Sequence, residues 1–384
     1  MRYLAVFILI FLTDTAFSQS LLHPAFVEYN VSTGRIVKNY PVFPQRNAAW
    51  VNSFVIGSRL NGTKAWHPYY RYPVASFEIN YGTLGNSKVL GSMISGLYRL
   101  EFPFRLSDKL YAEAVAGFGV AGFTRHYDIE NNPENTVVGS TFTFNASARL
   151  LLRYYLSPFW SVNLNAGVYH CSNSHYKLPN LGINLPVISA GVRYHIQPAS
   201  ILMGSRNLER DKKIHGQIRL ALGQNEQGAS TFPVNGPRYP VYLVAMYATK
   251  YLSPVNKFHA GVEGWYNAGM YDYITSQRLY DDKEHWRSVA IQTVIGNEFL
   301  FGHFSMLVNG GVYVYNPAYH KRLKTEDNSN LKKEIKGWIT ARLGFQYYIR
   351  DAVVHTGSNF YAGVYIKTNF GQADFLETGI GYCF

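Results

Sequence analysis

The sequence is short of three things that would place it among ordinary soluble or helical membrane proteins. Charged residues make up 16% of its 384 positions, well under the quarter usual in soluble domains. Beyond the N-terminal segment no stretch approaches the twenty apolar residues that a membrane helix needs, so helical spans are excluded. Cysteine occurs twice, as Cys171 and Cys383, too few and too far apart for a disulfide framework or a metal-ligand spacing.

What the chain does have is aromatic and glycine-rich. It carries 31 Tyr, 24 Phe and 33 Gly, spread through short segments of alternating polarity. That pattern is the signature of a transmembrane β-barrel. The net charge is +12, which in a soluble protein would suggest a nucleic-acid partner. In an exported barrel the anionic phosphates of lipopolysaccharide are the expected counterpart, and no nucleic acid is. Export itself is predicted from residues 1–18, with Arg2, the apolar run Leu4 to Leu12, and a small-residue site at Ala16-Phe17-Ser18 before Gln19. Nine apolar residues are too few to span a bilayer, and no Cys follows for a lipid anchor.

At the other end, Leu376, Thr378, Ile380, Tyr382 and Phe384 alternate with Glu377, Gly379, Gly381 and Cys383. This period-two strand resembles the C-terminal signal read by the barrel-assembly machinery of Gram-negative outer membranes, an expected partner during insertion. Alternation and turn residues predict an all-β, antiparallel, up-and-down transmembrane barrel of about fourteen strands (twelve to sixteen). They fall near 73–81, 89–104, 109–123, 139–155, 159–172, 186–197, 214–225, 240–251, 256–269, 286–300, 304–316, 336–349, 358–369 and 373–384. An even count puts both barrel ends on one side. The turns 105–108, 156–158, 252–255 and 301–303 are short, which places them in the periplasm. The connections 124–138, 173–185, 226–239, 270–285 and 317–335 are long, which places them outside. The connection 198–213 is long yet periplasmic by count, and is read as a seam between two halves of the barrel.

The predicted organisation is therefore a signal peptide over 1–18, a periplasmic or barrel-associated segment over 19–72, and a barrel over 73–384. Residues 49–60 could form a further strand, but one extra strand would break the parity of sides. By parity, Arg149, Arg153, Arg193, Arg219, Arg342 and Lys367 face the lumen with Glu113, Glu263 and Glu377. Mixed signs there imply a structural polar plug.

One strand carries chemistry. In 159–172 the even positions, Trp160, Val162, Leu164, Ala166 and Val168, are apolar and lipid-facing, yet the row ends in His170 and Ser172. Two residues apart, both side chains share one face, with Cα atoms roughly 6.5 Å apart. The loop assignment sets them on the barrel exterior at the outer leaflet, where polar groups cost least. A serine needs a neighbouring base to act as a nucleophile.

The run from His170 to Asn184 reads H-x-S-N and then P-N-x-G-x before a triad position. It resembles the signature of the lipid A 3-O-deacylase, or acyloxyacyl hydrolase, family. The stretch Tyr69-Tyr70-Arg71-Tyr72-Pro73 and the pair Gly85-Asn86 look like members from Bacteroidetes-type bacteria. The resemblance covers about residues 60–197. It implies an outer-membrane serine esterase acting on a fatty acyl ester of lipid A, with no metal or cofactor. Ser172 would be its nucleophile and His170 its general base. Asn173, Asn180 and Gly182 would serve the oxyanion or the substrate, and Lys177 would meet a lipid A phosphate. The third triad position, a carboxylate in the best-known members, is here Asn184, which can orient an imidazole but brings no charge to it. The family also implies an eight-stranded barrel, leaving the strands beyond 213 without counterpart. The alternative is a non-catalytic outer-membrane barrel, a channel or structural protein.

Overall fold

The computed structural model describes residues 25–198, 207–228, 231–232, 234–325 and 331–384; the expected signal peptide lies outside them. All fourteen predicted strands are present, joined by two more. The chain is all-β, antiparallel and up-and-down, but its sixteen strands close into two barrels of eight rather than one of fourteen.

The first barrel comprises β1 (Phe26–Gly34), β2 (Ala49–Arg59), β3 (Val74–Thr83) and β4 (Ser92–Arg105). It continues through β5 (Leu110–Phe123), β6 (Phe142–Tyr155), β7 (Trp160–Ser172) and β8 (Ile183–His195). The second holds β9 (Ile214–Glu226), β10 (Arg238–Ser253), β11 (Asn256–Asn267), β12 (Val289–Phe301), β13 (Phe304–Tyr315), β14 (Ile339–Tyr348), β15 (Asn359–Asn369) and β16 (Gln372–Cys383). Among the described residues four helices sit in its long connections: α1 (Ala268–Ser276), α2 (Glu284–Arg287), α3 (Pro317–Thr325) and α4 (Leu331–Trp338). Strands of 9 to 16 residues meet the roughly 9–11 that a tilted strand needs to cross a bilayer.

Closure explains the difference from a single barrel. β8 pairs antiparallel with β1, from Phe26 opposite His195 to Gly34 opposite Val187, so the sheet is complete before the linker begins. β16 pairs with β9 in the same way, from Leu376 opposite Gln224 to Cys383 opposite Gln217. The segment 19–72, expected to be periplasmic or barrel-associated, thus supplies two strands of the wall. Counting residues 49–60 alone breaks parity, whereas counting them with 26–34 restores it. The connection expected as a seam does join the two halves, each half being a barrel of its own.

Side-chain parity runs as expected. On β7, Trp160, Val162, Leu164 and Val168 are exposed on the outer face, while Ser161, Asn163, Asn165, Tyr169 and Cys171 are buried inside. The first lumen buries Glu28, Glu78, Glu101 and Glu113 with Arg99, Arg149, Arg153 and Arg193. Four charges of each sign cancel there. Arg193 bonds Glu28 at 2.6 Å and Glu101 at 2.8 Å, Arg153 bonds Glu113 at 3.0 Å, and Arg149 pairs with Glu78. The second lumen pairs Arg342 with Glu263 and, at 3.0 Å, with Glu377, and Lys257 with Glu298 at 2.9 Å. Buried charges persist only when paired in this manner. The two cysteines are free and buried, one in each barrel.

The barrels stand side by side. At the end with short turns, Trp66 and Tyr70 of the β2–β3 connection pack on Phe301, at ring separations of 5.5 and 4.9 Å. Higher up, Phe118 of β5 meets Phe345 of β14 at 4.6 Å. At the long-loop end the Leu178 N–H donates to Glu226 at 2.9 Å.

Candidate active site

His170 and Asn184 are directly opposed on β7 and β8, a pairing that brings Cβ atoms to roughly 5 Å. Their side chains use that proximity. His170 Nδ1 lies 2.7 Å from Asn184 Oδ1. With the amide oxygen facing the ring, Nδ1 carries the proton and donates it, which leaves the Nε2 lone pair free as a base. His170 is exposed and Ser172 half-buried, both on the outer face where parity puts them.

Ser172 sits at the top of β7. Its Oγ accepts from Asn180 Nδ2 at 3.0 Å and from the Ser174 N–H at 3.2 Å. No hydrogen bond joins Ser172 to His170: the resting hydroxyl is turned to the loop amides. The two side chains are nonetheless close. The point where a Gly182 side chain would begin lies 3.7 Å from Ser172 Cβ and 3.8 Å from His170 Cε1, the carbon next to Nε2.

The loop between β7 and β8 is built to hold these amides. Ser174 and His175 both have positive φ, 57° and 68°, and the Tyr176 N–H closes the turn on Asn173 O at 3.2 Å. Positive φ at two successive non-glycine residues is uncommon and marks a conformation the surroundings impose. Here it aims the Ser174 N–H at the hydroxyl. Asn173 clamps the loop: its Nδ2 donates to Lys177 O at 2.6 Å and Ser140 Oγ at 3.3 Å, and its N–H donates to Asn180 Oδ1 at 3.3 Å. The Gly182 N–H is committed to Val137 O at 3.1 Å, and Gly182 φ is 71°. Burial lowers the pKa of His175, with the Asp374 carboxylate acting against that.

Of the residues singled out from the sequence, His170, Ser172, Asn180, Asn184 and Gly182 are brought together. Asn173 and Gly182 have their donors engaged by the β7–β8 loop itself and by the neighbouring β5–β6 connection, so neither is aimed at an oxyanion. Lys177 contributes its carbonyl to the Asn173 clamp and is not among the residues lining the crevice described next. Sequence reading missed Ser174, whose part is played by a backbone N–H that any residue could supply. His195 lies within 3.2 Å of Ser161 Oγ inside the lumen. Among the described residues no group of three or more His, Cys, Asp or Glu is placed to hold a metal ion.

The site opens onto a crevice of about 290 Å³ between the two barrels. Phe144, Ala146, His170, Ser172 and Asn184 line it from the first barrel, and Leu343, Ile366, Thr368 and Phe370 from the second.

The family model for the lipid A 3-O-deacylase matches residues 53–193, and that for the C-terminal domain of acyloxyacyl hydrolase matches 214–384. No curated protein matches the chain. Among solved structures, an outer-membrane channel from Pseudomonas putida F1 is 10% identical over 94% of this chain and 94% of its own, with a TM-score of 0.18. Outer membrane phospholipase A from Escherichia coli is 13% identical over 94% of this chain and 97% of its own, also with a TM-score of 0.18. At such scores the likeness supports no conclusion about this chain. The two family matches take in most of both barrels, and the chain belongs to the lipid A 3-O-deacylase family as an outer-membrane hydrolase.

Proposed function

We propose that the protein is a serine esterase that cleaves a fatty acyl ester of lipid A from the outer wall of its first barrel. The observation that carries this reading is the His170–Asn184 hydrogen bond of 2.7 Å, beside Ser172 on the lipid-facing side. It fixes the imidazole tautomer that can accept a proton.

Ser172 turns its hydroxyl toward His170 and attacks the ester carbonyl carbon while Nε2 takes the proton. The carbonyl oxygen becomes an oxyanion, and Asn180 Nδ2 and the Ser174 N–H, which hold Oγ in the resting site, are the donors nearest to it. The bond from carbon to the sugar oxygen then breaks, and His170 returns its proton to that oxygen. Water, deprotonated by the same Nε2, attacks the acyl-serine carbonyl; the bond from that carbon to Ser172 Oγ breaks, His170 returns the proton to Oγ, and the fatty acid leaves. Lipid A is accordingly the substrate partner, met at the level of its headgroup.

The test is incubation of purified wild type, Ser172→Ala and His170→Ala with lipopolysaccharide in mixed micelles, followed by mass spectrometry of lipid A. Wild type should remove one acyl chain, and each variant should leave the acyl count intact. Removal of the chain by either variant would contradict the assignment.

A further inference from the structure

The second barrel has no counterpart of the His170–Ser172 pair at the same place. Its seventh strand, β15, ends its outer row in Ile366 and Thr368, where β7, the seventh strand of the first barrel, ends in His170 and Ser172. Those two strand ends face each other across the crevice.

The outer faces of β14 and β15 are also less exposed than that of β10. Leu343, Phe345, Tyr347, Val364 and Ile366 are only partly exposed, whereas on β10 Tyr242, Val244 and Met246 face out at 51%, 44% and 60%. The second barrel therefore leans on the first through β14 and β15, and the two walls part near Ser172. Phe345, two residues nearer the periplasmic end than Leu343, meets Phe118 at 4.6 Å and closes the crevice below. Above, the two-residue turn between β15 and β16 has positive φ at both Phe370 (45°) and Gly371 (80°). A phenylalanine in that region is a strained choice, and here its side chain lines the crevice mouth. The crevice volume of about 290 Å³ holds about ten groups of water size, at roughly 30 Å³ each, comparable to a medium fatty chain.

We propose that the acyl chain to be cleaved lies in this seam, and that Leu343, Ile366 and Phe370 of the second barrel select its length. This rests on Ser172 and His170 being the reacting pair. It gives the C-terminal barrel a part in the reaction: a wall against which a chain of fitting length is held. A misfit in such a slot changes selection by about tenfold or more per methylene.

The experiment uses the full-length protein in detergent micelles and a series of p-nitrophenyl esters from butanoate to hexadecanoate. The readout is the ratio of kcat/KM on long chains to kcat/KM on butanoate. Ile366→Trp should lower that ratio about tenfold, and Phe370→Gly, which opens the mouth, should move the preferred length upward. Leu220→Trp, on the outer face of β9 away from the seam, should leave the profile as in wild type. Ser172→Ala should hydrolyse none of the esters; hydrolysis by that variant would sink the reading of the site itself. An inactive Ser172→Ala beside an unchanged profile, or a uniform loss at all lengths, in both Ile366→Trp and Phe370→Gly would overturn the length-selection proposal alone.

Discussion

Asn184 is the residue at which the site departs from a charged triad. An amide oxygen holds the His170 ring as well as a carboxylate would, but a charge-assisted bond to the imidazolium is roughly twice as strong as a neutral one. Asn184→Ala should therefore lower kcat at least about tenfold by freeing the ring, and Asn184→Asp should raise it severalfold; steady-state hydrolysis of a short ester reads both. Gly182 is constrained twice, by φ of 71° and by the side chains of Ser172 and His170 within 4 Å of its missing Cβ. Gly182→Ala should cost about a hundredfold in kcat, because a shift near 1 Å at a reacting pair has that scale. That His170 and Ser172 share the outer face was legible from strand parity, and the neighbouring asparagines from the resemblance to the family signature. The actual bonding of those asparagines was not, since it depends on how a turn of two positive-φ residues folds back.

At the level of elements, the β7–β8 loop is secured by the second barrel. Glu226, at the end of β9, accepts the Leu178 N–H and the Gly236 N–H at 2.9 Å each, and its own N–H donates to His175 O at 3.2 Å. Glu226→Ala leaves two N–H groups without their acceptor, a loss on the order of 1–3 kcal/mol each if buried, and loosens the loop that presents Asn180 and Ser174. Turnover should fall about tenfold, and Glu226→Gln, which keeps one acceptor oxygen, should lose less; kcat on a short ester together with hydrogen exchange of residues 173–182 checks it. The strands were legible wherever one face is uniformly apolar, as in β7 and β14. They were obscured in β2, where outward Asn52 and Ser58 and inward Val51 and Val55 blur the alternation. In β1 the signal is three outward apolar residues, Val27, Tyr29 and Val31, against inward Glu28, Asn30 and Ser32. Its partner Arg193 was assigned to the lumen, but what Arg193 meets there is Glu28 on the very strand left out.

For the whole molecule, which strand closes on which is the part a periodic pattern does not encode. Every even partition of alternating strands satisfies the same rule of sides, and only the hydrogen bonds of β8 to β1 and β16 to β9 choose eight plus eight. The two barrels are then joined at the periplasmic end by a buried connection. There His67 accepts the Gly62 N–H through Nδ1 at 3.0 Å and packs edge-on against Trp66. Burial, with Lys64 adding to it, lowers the His67 pKa from 6.5 to about 4. Below pH 6.5 the unfolded chain takes up a proton that the folded chain refuses, so the contribution of this packing is full above 6.5 and declines as pH falls toward about 4. Thermal unfolding in detergent should weaken across that window in wild type, and His67→Phe should flatten the slope. A slope unchanged by the substitution would remove His67 as its source.

The account turns on one hydroxyl becoming nucleophilic at the lipid-facing wall. Reaction of the folded protein with a long-chain alkyl fluorophosphonate, followed by peptide mass spectrometry, tests this directly. The adduct should form on Ser172 in wild type, slow sharply in His170→Ala, and be absent in Ser172→Ala. Labelling of a different serine, with hydrolysis lost in step, would contradict it.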